Sequence, residues 1–203
     1  MLTRPWGARP VLVPGALAAV LLAGCTAAPA PFDVVDPAWS RARVLEVSWV
    51  ADQSGEPAAR VRTVLTLDAD GRVSSMDTAE VSDGVVAYRG AWSRDGGTSI
   101  AEAPGCAAET DEVDVPDRLP ALLAEAFGPV DAATTDGWTV TDGVASRPGP
   151  GGDTVESVPL APLHGRALTE TENDTGRVVA RTRDITVRTL ATAPALPACG
   201  AAA

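Results

Sequence analysis

Arg60-Val61-Arg62-Thr63-Val64-Leu65-Thr66-Leu67-Asp68-Ala69-Asp70-Gly71-Arg72 is the stretch that decides the fold class. Val61, Thr63, Leu65 and Leu67 alternate with Arg60, Arg62 and Thr66. A period of two sends alternate side chains to opposite faces of a sheet, which is the pattern of a half-buried strand. The strand runs into Asp68-Ala69-Asp70-Gly71, a turn sequence, and a partner begins at Arg72. The pattern recurs on either side. Over residues 43–51, Leu45, Val47 and Trp49 share one face and Glu46 and Ser48 the other. Val86, Tyr88 and Trp92, then Asp95-Gly96-Gly97, then residues 98–102 predict a second hairpin. Residues 166–172, the turn Asn173-Asp174-Thr175-Gly176 and a long return over 177–190 predict a third. A flexible loop is expected at Arg147-Pro148-Gly149-Pro150-Gly151-Gly152, between Trp138-Thr139-Val140 and residues 155–163. The fold class that follows is mainly β: a single antiparallel sheet, curved or a half-barrel, with an α+β arrangement as the alternative.

One segment departs from this period. Leu119, Leu122, Leu123, Ala126 and Phe127 recur at helical spacing, with Asp117 available as N-cap and Gly128-Pro129 as a stop. Pro120 fits because the first turn of a helix has backbone N–H groups without intrahelical partners. The helix is amphipathic and is expected to lie on the sheet. Its apolar face, Leu119, Leu122, Leu123 and Phe127, together with Trp49, Trp92 and Trp138, is either core or the lining of a ligand cavity. Few rings and mostly inward positions favour core over a carbohydrate or single-strand face.

At the other end, Leu22-Ala23-Gly24-Cys25 closes a short apolar run that follows Arg4 and Arg9. This resembles the lipobox of bacterial lipoproteins, behind a basic and then an apolar region of a signal segment. The resemblance implies cleavage before Cys25 and a lipid on its thiol. At least two acyl chains would then anchor the chain to the extracytoplasmic face of the cell membrane. The organisation expected is a signal peptide over 1–24, the lipidated cysteine and an Ala/Pro-rich tether over 25–38, one β-rich domain over 39–199, and a tail over 200–203. Setting the lipidated Cys25 aside leaves Cys106 and Cys199, read as a disulfide in an oxidising compartment with two free thiols as the alternative.

The chain holds 16 basic residues, all arginine, and 27 acidic ones. Without Arg4 and Arg9 the balance is 14 against 27, a net charge of −13. Such a chain is a poor ligand for nucleic acid, which needs clustered cations. The residues that carry common chemistries are sparse. A single histidine, His164, in Leu163-His164-Gly165 has no nucleophile elbow to serve and is read as a turn residue. No zinc-ligand spacing, Walker motif or dinucleotide glycine pattern is present in the sequence. Neither a cofactor nor a metal is expected, and no catalytic residue is assigned. Glu109, Asp111, Glu112, Asp114 and Asp117 form an acidic run, read as a solvated loop ahead of the helix rather than a calcium site. Glu170 and Glu172 opposite Arg177, Arg181 and Arg183 are read as cross-strand pairs rather than a glycosidase acid pair.

A lipobox followed by a long meander, a helix over 117–127 and a late hairpin over 166–190 is similar in element order to the lipid- and lipoprotein-carrier half-barrels. That likeness implies a curved sheet and a helical lid around an apolar ligand, though residues 32–43 lack the first helix those proteins carry. Three functions follow as alternatives: a non-catalytic envelope interaction module, a carrier or sensor of an apolar ligand, and an enzyme. A filled interior marks the first, a cavity under the helix the second, and convergent polar groups the third. The partners expected are the membrane, through Cys25, and an envelope protein or apolar ligand.

Overall fold

The computed structural model describes residues 34–102, 107–111, 115–149 and 151–202. Among the described residues, eleven strands and one α-helix make up the domain, with 3-10 turns at Trp39–Arg41 and Ala132–Thr134. β1 (Val44–Gln53), β2 (Ala59–Leu67), β3 (Val73–Ser82), β4 (Val85–Ser93), β5 (Gly97–Glu102) and β6 (Ala107–Asp111) run outward as an antiparallel meander. After helix α1 (Leu119–Phe127), β7 (Thr139–Thr141), β8 (Val144–Pro148), β9 (Thr154–Pro159), β10 (Leu168–Glu172) and β11 (Val178–Leu190) run back inward. β11 then pairs with β1, giving the order β6-β5-β4-β3-β2-β1-β11-β10-β9-β8-β7. The first and last strands thus lie at the middle of the sheet. Its two edges are joined by the segment that carries α1, and that path takes the helix across one face.

This corrects the half-barrel expectation and the likeness to carrier proteins built on it. The sheet is open and uncurled: the strand order is linear, and β6 and β7 are ends that do not meet. Closure requires edge strands that pair in a consistent stagger. Here the edges are a five-residue and a three-residue strand at opposite ends of the order. Alternation reports which face a side chain takes and is silent on how a sheet bends, so the sequence pattern allowed a curvature that is not there. A mainly β fold with one helix is observed as expected.

The two faces are built differently. On the helix-bearing face, Leu45, Val47, Leu65, Leu67, Val73 and Ile185 pack against Leu119, Leu123, Ala124, Phe127, Val130 and Leu163. Val35 is buried in the same cluster and Val34 donates to the Val130 carbonyl, so the chain enters the domain on this side. On the other face, Val44, Val64, Ala79 and Val86 form a smaller cluster covered by Leu196 of the C-terminal segment. That segment is pinned by hydrogen bonds between Val86 and Gly200 and Ala201, and by Arg89 donating to the Pro197 carbonyl.

Local chemistry explains the element ends. Asp68 Oδ1 accepts from the amides of Asp70 and Arg72, which closes the β2–β3 turn as its sequence predicts. Asp83-Gly84 in the β3–β4 turn and Asp142-Gly143 in the β7–β8 turn take positive φ at both positions, the requirement of a tight two-residue hairpin. α1 stops at Gly128, whose φ of 76° suits glycine and whose missing Cβ would stand 2.6 Å from Val158 Cγ1. Its start differs from expectation. The N-cap position is Arg118, with no side-chain cap, while the Asp117 carbonyl accepts from Val73 and its carboxylate faces Arg72 at 3.6 Å. A nine-residue helix without a capping side chain is marginal alone, so packing on the sheet holds it.

Candidate functional site

The residues singled out under the helix do come together, with one exception. Leu119, Leu123 and Phe127 point at the sheet and are fully buried. Phe127 meets Trp49 edge to face, with ring centroids 5.1 Å apart. Leu122, one position off the buried line, is only half-buried and packs at the margin with Trp49, Met76 and Trp92. Trp138 lies elsewhere. Its ring packs near Gly128 at the end of α1, with the Arg147 guanidinium 4.4 Å from its centroid. Between helix and sheet a recess of about 60 Å³ remains, lined by Val47, Trp49, Leu65, Met76, Leu122 and Phe127 among others. Apolar ligand sites span roughly 300–1,000 Å³, so the helix is a cover over packed side chains rather than a lid over a chamber.

The opposite face carries the polar surprise. Glu46 alternates away from the main core, where a solvated position is expected, yet it is 2% exposed. Arg62 from β2 and Arg188 from β11 both reach across β1 to its carboxylate. Burial alone would push the Glu46 carboxyl up, but hydrogen bonds from Arg188 and Arg62, with their charge, hold it below its ordinary 4.5. A lowered carboxyl contributes stability that is present above the unfolded value and lost as pH falls through the folded one. Wild type should therefore lose stability on acidification below about pH 4.5, and Glu46→Gln should show a shallower loss in denaturant titrations run across that window. Equal slopes for the two proteins would remove Glu46 from the acid response.

A second buried charge lies beyond the end of α1. Arg166 is 0% exposed and has no carboxylate partner among the described residues. Its Nε and Nη2 donate to the Ala161 carbonyl at 3.0 and 2.6 Å, and Nη1 donates to the Pro129 carbonyl at 2.7 Å, with Phe127 and Gly128 carbonyls at 3.4 Å. The guanidinium gathers the carbonyls that α1 leaves unpaired at its C-terminus, where the helix dipole favours a cation. Burial lowers its pKa to about 10, well below the usual arginine range, so it stays charged at neutral pH. No sequence signal marked it, because an arginine beside Gly165 reads as surface.

The other expected chemistry is dispersed. His164 is exposed in its turn. Glu172 pairs with Arg177 and accepts from Thr175 within one hairpin, Glu170 accepts from Thr154 on β9, and Arg183 crosses to Asp52 on β1. Of the cross-strand pairs expected among these residues, only Glu172 with Arg177 forms. Residues 107–111, expected in a loop, form β6; Glu112 and Asp114 lie outside the described residues. Among the described residues no cluster of histidine, cysteine or carboxylates could hold a metal. An acidic recess of about 540 Å³ beside Asp153, Glu172, Asn173 and Asp174 is lined largely by groups already engaged in turn hydrogen bonds.

Cys25 and Cys106 lie outside the described residues. Cys199 is disulfide-bonded. No helix among the described residues is long and apolar enough to cross a membrane, and nothing among them supports the membrane anchor expected from Leu22-Ala23-Gly24-Cys25. No family model, curated protein or solved structure matches the chain.

Proposed function

We propose that this protein is a non-catalytic interaction module of the cell envelope, tethered through a lipid on Cys25 to the extracytoplasmic face of the cell membrane. The observation that carries the reading is the filled space beneath α1, about 60 Å³ where a carrier of an apolar ligand needs several times that volume. A sheet with a packed interior offers its surface as the working part. The Leu22-Ala23-Gly24-Cys25 sequence supports the tether.

The tether is tested by Cys25→Ser in the full chain expressed in a bacterial host. Wild type should sediment with membranes and carry an acyl mass on a new N-terminal Cys25, and the variant should be released or remain uncut. Unchanged membrane retention with no acyl mass would sink the anchor. A polarity-sensitive apolar dye should find no saturable site on the native protein, and stoichiometric binding displaced by fatty acid would overturn the module reading in favour of a carrier.

A further inference from the structure

Five of the 16 arginines stand together on the sheet face opposite α1. Arg60 and Arg62 on β2 oppose Val50 and Ser48 of β1; Arg181, Arg183 and Arg188 on β11 oppose Asp52, Val50 and Glu46. The contacts of Arg62 and Arg188 with Glu46, and of Arg183 with Asp52, place all of these side chains on one face. Three carboxylates accompany them: Glu46 serves both Arg62 and Arg188, and Asp52 and Asp184 both serve Arg183. The side chains of Arg60 and Arg181 are exposed and have no ion pair or hydrogen bond among the described residues. Arg62 and Arg188 keep 41% and 66% of their side-chain surface open. A guanidinium has five N–H donors, so sharing one carboxylate leaves each with donors to spare. In a chain of net charge −11 this is a local excess of unpaired cations.

The layout narrows the partner. Residues 46–52 of β1 run for roughly 20 Å at ~3.3 Å per residue, with β2 and β11 each about 4.8 Å to the side. The arginines therefore form two parallel rows rather than a point. At the Asp52 end, a recess of about 180 Å³ beside Gln53, Ser54 and Arg181 has room for one anionic group. An anionic bilayer fits less well. The chain enters the domain on the other face, at Val34 and Val35, and the net negative charge opposes approach to acidic headgroups. We propose that this arginine track binds an extended anionic envelope polymer, one bearing phosphate or carboxylate groups along its length, laid along β1. Guanidinium forks suit such oxyanions because they hydrogen-bond them in pairs. This deepens the interaction-module reading and rests on it, while remaining independent of the lipid anchor.

The test uses full-length protein in detergent, titrated at low ionic strength with fluorescently labelled long-chain polyphosphate. Saturable binding that weakens at high salt is expected, and the double variant Arg60→Gln/Arg181→Gln should lose about tenfold or more in affinity. Arg41→Gln, an exposed arginine before β1, should bind as wild type does, and so should Cys25→Ser, which separates failure of the anchor from failure of the track. Absent binding, or the same loss in Arg41→Gln, would overturn the proposal. So would binding to phosphatidylglycerol vesicles without binding to polyphosphate.

Discussion

Phe127→Ala should cost the domain about 3–5 kcal/mol, the largest loss expected from any single truncation on the helix. The ring is 1% exposed, so its removal leaves a void that a packed sheet refills only in part. It also deletes the edge-to-face contact with Trp49, which adds roughly 0.5–1.5 kcal/mol beyond area burial. Leu123→Ala, equally buried, should fall in the range of about 2–5 kcal/mol, whereas the half-buried Leu122→Ala should fall below about 2. Urea denaturation followed by Trp fluorescence measures all three. If Leu122→Ala matched Phe127→Ala, the assignment of the buried line would be wrong.

Arg166→Met should destabilise by about 3 kcal/mol or more, although it removes a buried charge. Replacing a buried ion pair with apolar groups is often neutral because both partners leave together. Here the partners are backbone carbonyls of Phe127, Gly128, Pro129 and Ala161, which no side-chain substitution can remove. Losing their donor leaves buried acceptors unpaired, at about 1–3 kcal/mol for each one that finds no water. Arg166→Lys should recover only part of the loss, since an ammonium lacks the planar fork that reaches two carbonyl sites at once. The charge itself has a defined pH signature. A base whose folded pKa is lowered to about 10 gains stability as pH rises past that value and adds no slope near neutrality. A Met variant as stable as wild type would mean that the helix end is satisfied by other groups.

What was legible in the sequence follows from the range of the interactions. Hairpins closed by Asp68–Gly71 or Asn173–Gly176, and the alternation of Leu45, Val47 and Trp49, are local, so strands β1, β2, β10 and β11 could be read with their turns. The end of α1 at Gly128 is local too. Strand β8, hidden between two glycine turns, and β6, built from Ala107, Ala108 and acidic residues, carry no apolar alternation and were not legible. The pairing of β1 with β11 depends on residues 142 apart in the case of Glu46 and Arg188, and no short window contains both. The same distance hid the arginine track, which exists only because β2 and β11 flank one strand. Glu46 was placed on the polar face correctly, but its burial comes from neighbours on two other strands, which alternation does not report.

The central position of β11 has a bearing on assembly. β1 to β6 pair with their neighbours in sequence, so in a chain made from its N-terminus these pairings need nothing that comes later, whereas the outer edge of β1 has no partner until β11 exists. That edge is completed only by the final strand, so the middle of the sheet depends on the two ends of the domain meeting. Long-range pairing of this kind slows folding and leaves an open strand edge available to the wrong partner in the meantime. Arg62 and Arg188 meet over Glu46 only where β2 and β11 flank β1, so the carboxylate is buried only once the two halves of the chain have found each other.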